Sequence, residues 1–489
     1  MEGSITLPLW LFLLLLVAAL WLILAHLLLP VFRRYFRRRV VRVIAEVNTR
    51  LNIGIRPFQL TRKQALIDQL AFDDNVVAAM KEYAAENDMP KALVHEKVLR
   101  YANEIAPSFN AYVYFRFGYW LARSLGHMLY RVRVGLFDDG ELSRVDPNAS
   151  VVFVMNHRSN MDYLLVSFLV AEKAAISYAV GEWARIWPLQ TLIKSMGAFF
   201  VRRNSRNALY RRVLERYVHH ATRAGVCQAV FLEGGLTRDG LLRQPKLGFL
   251  DYMLRDYHPE IDRDIVFVPV GVNYDRVLED VSLVRKLDPE SAPRSTWFVI
   301  KTSFGFALKT LLMKREKRWF RFGYAAVNFG NPVSMTEYCQ QQDIDLSTLD
   351  RDARFAHIDQ LGHRLMDEIS AVVPILPVAL MCEVMLANQA DWISELGAKT
   401  VAVARIGDLQ ARGAPIKVSA SACEDVLTAA LSMLEGRGLI ESRDGLIRAK
   451  PGHWTCSTTM PIRSSTGKPV RLAVLNPDVA AIAASGIFI

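Results

Sequence analysis

The sequence predicts an α/β fold: a mixed or parallel sheet flanked by helices, followed by a helical, winged-helix-like C-terminal region. Three observations predict it. Ser150–Met155, Gln228–Leu232 and Ile265–Val272 are short, near-continuous apolar runs, the pattern of strands buried on both faces. Helical patterns such as Ala208–Ala224 separate them, and that alternation is the signature of an α/β sheet. Before and after this stretch the pattern is helical, so the sheet is enclosed by helices in the order of the chain.

From Ile5 to Phe32 the only ionisable residue is His26, and the run exceeds the ~20 residues needed to span a bilayer. A cleaved leader would be shorter, would start basic and would end in small residues. Arg33–Arg42 follows at once, with six arginines. The positive-inside rule then predicts a single-pass protein of the inner, cytoplasmic membrane with the bulk of the chain on the cytoplasmic side, the alternatives being a helix that only embeds or a buried core helix. The formal net charge of +11 over 489 residues points to anionic partners, and the five cysteines show neither a disulfide framework nor a zinc spacing.

Val43–Tyr130 reads as helical, with Thr61 able to cap a helix beginning at Arg62 and a turn at Glu86–Asp88. Ala106–Val132 is rich in aromatics and reads as a packed or membrane-facing amphipathic segment. A last strand is expected over Gly323–Phe329, ending in the turn Gly330–Pro332. Beyond Ser347 the chain is helical through Ile369, an apolar segment follows over Val372–Ala387, and a helix ending at Gly436 with a hairpin turning at Asp444–Gly445 is winged-helix-like.

Four segments could carry chemistry. Asn156–Tyr163 (NHRSNMDY) follows the first buried strand. Five helical residues turn through about 500°, which would set His157 and Asp162 roughly 140° apart. They meet only if the intervening residues form a turn. Imidazole suits a base near neutral pH, and a carboxylate on its other nitrogen would fix the tautomer. The alternative is that Asn156 or Ser159 caps a helix and His157 is an ordinary polar residue. Gly197–Arg203 ends in Arg202 and Arg203, which could grip a phosphate or simply be a solvated basic end. Phe231–Gly240 (FLEGGLTRDG) offers Glu233 for a hydroxyl, Gly234 and Gly235 for close backbone approach, and Arg238 for a phosphate, or is a plain tight loop. Pro269 within an apolar strand implies an edge or a bulge.

Together, and in this order, these blocks resemble the glycerolipid acyltransferases with the HxxxxD motif. NHRSNMD, GAFFVRR, FLEGG with Arg238, and VFVPV are the matching blocks. With the downstream LLRQPK they are nearest to the glycerol-3-phosphate acyltransferases. The resemblance implies that His157 deprotonates the acceptor hydroxyl and Asp162 orients it. It places Arg202, Arg203, Glu233, Gly234, Gly235, Arg238 and Lys246 at the glycerol phosphate site and Pro269 in the acyl-donor region. It implies acyl-CoA or acyl-acyl carrier protein as co-substrate, glycerol 3-phosphate and membrane phospholipid as partners, and no cofactor, metal or nucleic acid. Leu236 departs from the family, whose third block usually has an arginine there, which leaves dihydroxyacetone phosphate, lysophosphatidate or another lyso-lipid as alternative acceptors.

The expected organisation is a transmembrane helix over 1–32, a basic juxtamembrane and helical region over 33–134, the acyltransferase α/β domain over 135–346 and the helical C-terminal region over 347–489. A nucleic-acid-binding reading is weakened by the acidic residues Glu424, Asp425, Glu435, Glu441 and Asp444 interspersed in the tail. The cluster Lys314–Arg321 reads either as a dock for anionic lipid or an acidic carrier protein, or as a solvated surface.

Overall fold

The structure is a computed structural model that describes residues 8–10, 16, 55–135, 145–171, 174–185, 187, 189–202, 205–279, 322–388, 391–416, 423–450, 460–463 and 469–472. Arg203, the Lys314–Arg321 cluster, Cys456 and nearly all of the N-terminal apolar run lie outside the described residues.

Among the described residues from Ile55 onward, the first helices are α1 (Pro57–Leu60), α2 (Lys63–Ala71), α3 (Asp74–Glu86) and α4 (Lys91–Ile105). Thr61 does not cap α2. Its hydroxyl donates to Pro57 O, one helix back, while α3 is capped by Asp73, whose carboxylate accepts from the backbone of Asn75 and Val76. A π-helical turn, Val113–Gly118, then runs into α5 (Tyr119–Leu129).

The sheet strands are β1 (Arg131–Val134), β2 (Ser150–Met155), β3 (Ser177–Gly181), β4 (Phe199–Val201), β5 (Gln228–Phe231), β6 (Ile265–Tyr274), β7 (Tyr324–Phe329) and β8 (Val333–Ser334). Between them lie α6 (Asp162–Val170), α7 (Leu189–Ser195), α8 (Ala208–Arg223) and α9 (Gly248–Leu254). The spatial order is β1-β7-β6-β2-β5-β3-β4, with β8 also on β6. From β6 through β2, β5 and β3 to β4 every pairing is parallel, while β7 and β8 run antiparallel to β6. The sheet is therefore mixed, with a parallel half.

Alternate residues of the strands feed two cores. Val152, Val154, Phe199, Val230 and Phe267 face α2–α4, α8 and α9, whereas Val151, Phe153, Ala229, Val266 and Val268 face α5 and α6. Each valine or phenylalanine among them contributes roughly 1.5–3 kcal/mol by leaving water. This two-sided burial explains why β2, β5 and β6 read as continuous apolar runs.

β6 is an interior strand, which corrects the edge expected from Pro269. On one side Pro269 lies opposite Val154 of β2. On the other side the ladder passes from β8, opposite Val266 and Phe267, to β7, which begins at Val270. Pro269 falls in the gap between them, where its missing N–H breaks no ladder bond, and its carbonyl accepts from Gly330 N at 2.8 Å. Gly271 allows the end of a long helix, α11 (Arg351–Val372), to approach: a Cβ there would stand 2.5 Å from Val372 O.

After the sheet come α10 (Met335–Gln342), α11 (Arg351–Val372) and α12 (Pro377–Ala387). α12 packs with α13 (Glu395–Ala411) and α14 (Cys423–Gly436) around a third core, and the hairpin β10 (Ile440–Arg443) and β11 (Leu446–Ala449) turns at Asp444 and Gly445, both at positive φ, with β11 also pairing β9 (Ile393–Ser394). A last hairpin joins β12 (Met460–Arg463) to β13 (Pro469–Leu472).

The expectation of a single-pass inner-membrane protein is overturned: no helix among the described residues is long and apolar enough to cross a membrane. The most apolar long segment after the sheet, α12, has 11 residues, about 16 Å of rise, roughly half a hydrocarbon core. The 22 residues of α11 are long enough but carry charges throughout.

Candidate active site

β2, β5, β4 and β6 are mutually parallel, so their C-terminal ends share one edge of the sheet, where ligands of open α/β sheets gather. His157 and Asp162 follow β2, Glu233 follows β5, Arg202 follows β4 and Tyr274 ends β6.

The chain leaves β2 at Asn156, which caps no helix. Its side-chain amide donates to Val272 O at 2.9 Å and its carbonyl oxygen accepts from Val272 N at 2.8 Å, clamping the turn onto β6. Residues 156–161 are not helical and α6 starts only at Asp162. The turn therefore closes as the spacing requires, and His157 Nδ1 lies 2.9 Å from Asp162 Oδ2. The same oxygen accepts from Arg158 N at 2.8 Å and Ser159 N at 3.0 Å, while Oδ1 accepts from the Tyr274 hydroxyl at 2.6 Å. Asp162 stands in the first turn of α6, where the helix dipole favours a carboxylate. Burial first, and the Asp162 charge second, push the Tyr274 phenol well above its ordinary value, so Tyr274 remains the donor.

His157 is 2% exposed and stacks on Phe231 with ring centroids 3.8 Å apart. Its Nε2 has no hydrogen-bond partner among the described residues. Ser159 donates through its hydroxyl, and Asn160 through its backbone and side-chain amides, to the Glu279 carboxylate beyond β6.

Glu233 is buried beneath this turn. Its carboxylate accepts from His157 N at 2.9 Å and Arg243 N at 3.2 Å, while His157 O accepts from Thr237 N at 3.0 Å. The turn after β2 and the loop after β5 are thus laced together. Burial pushes the Glu233 carboxyl up to about 7, against the opposing pull of those backbone bonds and of Arg158. Gly234 sits at φ +67°, and a Cβ there would stand 2.8 Å from Lys246 Cγ. Gly235 is buried, whereas Arg238 and Lys246 are exposed. Leu236 packs on the core of the sheet.

Arg202 makes no hydrogen bond to this group. β4 lies three strands from β2, on the order of 14 Å. Its guanidinium forms a two-pronged ion pair with Glu104 of α4, Nε–Oε1 2.9 Å and Nη2–Oε2 2.7 Å. Among the described residues no group of His, Cys, Asp and Glu could hold a metal ion.

Residues 139–273 match the acyltransferase family model, and residues 308–450 match the model of the glycerol-3-phosphate acyltransferase C-terminal region. The chain carries an acyltransferase-family domain. The resemblance to the glycerol-3-phosphate acyltransferases is thereby shown. Curated proteins of that name are similar to it. One from Xanthomonas axonopodis pv. citri is 26% identical over 374 residues, 73% of this chain and 41% of that protein. One from Pseudomonas putida is 29% identical over 360 residues, 72% of this chain and 41% of that protein. The chain thus spans about two fifths of the length of these relatives. A solved 1-acyl-sn-glycerophosphate acyltransferase from Thermotoga maritima is 16% identical, covering 53% of this chain and 80% of that one, with a TM-score of 0.30.

Inside the acyltransferase match lie His157, Asp162, Arg202, Glu233 and Pro269. Tyr274 and Glu104, whose side chains hold two of them, lie outside it and were not foreseen. Tyr274 closes the VFVPVGVNY run as a polar residue at a strand end, a signal that could have been followed. Glu104 had none beyond being a carboxylate in the last turn of a helix, where the dipole disfavours it.

Proposed function

We propose that the chain transfers a fatty acyl group from the thioester of acyl-CoA or acyl-acyl carrier protein to the sn-1 hydroxyl of glycerol 3-phosphate, giving lysophosphatidate. The observation that carries this reading is the bond between His157 Nδ1 and Asp162, which leaves Nε2 as the nitrogen for the acceptor. In the proposed step Nε2 takes the hydroxyl proton as the oxygen attacks the thioester carbonyl. A C–O bond forms, the tetrahedral intermediate collapses, the C–S bond breaks, and the imidazolium returns the proton to the departing thiolate. The balance needs neither an acyl-enzyme nor a redox or metal cofactor. Asp162 holds the tautomer and stabilises the transient imidazolium. Gly234, Gly235, Arg238 and Lys246 form the acceptor side, with Glu233 holding the turn, and Arg202 and Arg203 supply cations for the phosphate. Pro269 belongs to the acyl-donor region in this reading.

Leu236, packed inward where the family usually places an arginine, favours a second reading in which the acceptor is dihydroxyacetone phosphate, lysophosphatidate or another lyso-lipid. One experiment tests both. Purified wild type and His157→Ala are offered glycerol 3-phosphate, dihydroxyacetone phosphate and lysophosphatidate in parallel, with acyl-CoA and acyl-acyl carrier protein as donors. Lysophosphatidate from glycerol 3-phosphate, reduced at least about 10³-fold in the variant, is the expected result. Preference for another acceptor establishes the second reading. Full activity without His157 rejects the mechanism.

A further inference from the structure

Glu104 sits in the last turn of α4, in the helical segment before the acyltransferase match. It is 8% exposed. A buried carboxylate at a helix C-terminus is doubly disfavoured, by desolvation and by the helix dipole, so it persists only with strong partners. It has them. Arg202 at the end of β4 takes both its oxygens, and Arg185, just past β3, donates Nη1 to Oε1 at 3.0 Å. Lys194 of α7 donates to Asn103 O, the residue beside Glu104, at 2.9 Å. The Arg202 guanidinium is also fixed sideways, 5.1 Å from the Tyr101 ring and 5.0 Å from the Tyr210 ring.

Among the described residues the cluster is unbalanced: Arg202, Arg185 and Lys194 surround one carboxylate. Burial pushes the Glu104 carboxyl up, but the hydrogen bonds of Arg202 and the charges of Arg185, Arg202 and Lys194 outweigh it and hold the carboxyl below its usual value. Lys194, by contrast, is pushed down to about 8 by burial and by its neighbours Lys63 and Arg185. Positive charge is thus in excess at the C-terminal edge of the parallel strands. Arg202 and Arg185 are each about a third exposed, at 32% and 35%. Glu104 takes the Nε–Nη2 side of Arg202 and one nitrogen of Arg185. Arg202 Nη1, and Arg185 Nε and Nη2, have no hydrogen-bond partner among the described residues.

We infer that Glu104 is a positioning residue for the acceptor's phosphate: it holds Arg202 and Arg185 side by side so that their remaining N–H groups read one phosphate dianion. The inference rests on the proposed function for the identity of the substrate, and on the cluster itself for the anion. It assigns to the helical segment before the acyltransferase match a direct part in building the acceptor site, and adds Arg185 as a second arginine that no sequence block marks. Planar guanidinium groups held by a carboxylate lose little freedom on meeting a phosphate, so the benefit is preorganisation.

The test uses the full chain as wild type, Glu104→Gln, Glu104→Asp and Arg185→Gln, with two readouts. The first is binding of inorganic phosphate by titration calorimetry, which needs no turnover. The second is steady-state transfer to glycerol 3-phosphate. Expected are phosphate binding weakened about ten- to a hundred-fold in Glu104→Gln and Arg185→Gln, a matching rise in acceptor KM with kcat and donor KM within about twofold, and partial recovery in Glu104→Asp. Unchanged phosphate binding in both variants, or tighter binding in Glu104→Gln because Glu104 merely competes for Arg202, overturns the inference. If Glu104→Gln fails to fold, Arg185→Gln decides alone. If wild type binds phosphate but transfers no acyl group to any acceptor, the functional reading fails while the anion site stands. If wild type binds no phosphate yet acylates glycerol 3-phosphate, the reverse holds.

Discussion

Tyr274 donates its hydroxyl to Asp162 Oδ1 at 2.6 Å, while the other oxygen of that carboxylate holds His157. One buried aspartate thus joins the last residue of β6 to the turn after β2. In Tyr274→Phe the aspartate loses a charge-assisted bond worth about 1.5–3 kcal/mol, with little change in volume. The expected outcome is a fall in kcat of roughly tenfold, with acceptor KM little changed and the far-ultraviolet circular dichroism of the wild type retained. Undiminished kcat would mean that Tyr274 supports only the fold.

Asp162→Asn is expected to cost more. The amide cannot accept at both oxygens as the carboxylate does, and it no longer selects the His157 tautomer with Nε2 free. A loss of kcat on the order of 10³–10⁴-fold is expected, at acceptor concentrations that saturate the wild type. Nuclear magnetic resonance of the imidazole nitrogens checks the cause: the wild type should show the proton on Nδ1, and the variant a mixture.

The acid–base behaviour of the fold should show two opposing slopes. Glu233 rises to about 7 from an ordinary 4.5 because it is buried. A raised folded value means the folded state holds the proton more tightly. Its contribution is complete below 4.5 and is lost as pH climbs through 7. His219, buried in α8 beside Arg216, is pushed down to about 4 from 6.5, so it contributes fully above 6.5 and loses this as pH falls towards 4. Between 4.5 and 6.5 the two oppose each other. Urea unfolding at a series of pH values should show stability increasing with pH more steeply in Glu233→Gln than in wild type over that window. Parallel curves would show that Glu233 does not titrate there.

Gly271→Ala probes the seam between β6 and the end of α11. Backbone atoms of Val372 and Val373 stand 2.5–2.6 Å from the added Cβ, and backbone cannot swing aside as a side chain would. A loss of about 1–3 kcal/mol of stability is expected, read as a lower urea midpoint. Gly234→Ala meets only the flexible Lys246 side chain, so its cost should come mainly from the strain of φ +67°, about 1–2 kcal/mol.

The sheet was legible because β2, β5 and β6 are buried on both faces, which leaves continuous apolar runs in the sequence. The meeting of His157 with Asp162 was legible because five residues on a helix cannot bring them together and a turn can. What the sequence hides is partnership at long range. Glu104 finds Arg202 98 residues away and Tyr274 finds Asp162 112 residues away, and no local pattern marks either. The place of Pro269 was misjudged for a related reason. A proline forbids a ladder bond at one point, but a long strand can change neighbours there, and β6 passes from β8 to β7 at that point. The single-pass expectation, drawn from Ile5–Phe32, has no counterpart in any described helix.

Asn156 carries one more consequence. Its carboxamide offers Val272 one N–H and one C=O, the two kinds of group that the backbone of β2 would have offered from two of its residues had the strand continued. The side chain impersonates a peptide unit, so the sheet gains a rung that its own backbone no longer supplies. The main chain is released to turn one residue before the imidazole without surrendering its hold on the neighbouring strand. The location of His157 is therefore inherited from the spacing of the sheet, which serves as its ruler. Asn156→Asp, nearly identical in shape, would turn an oxygen towards Val272 O and set that ruler against the histidine it now serves.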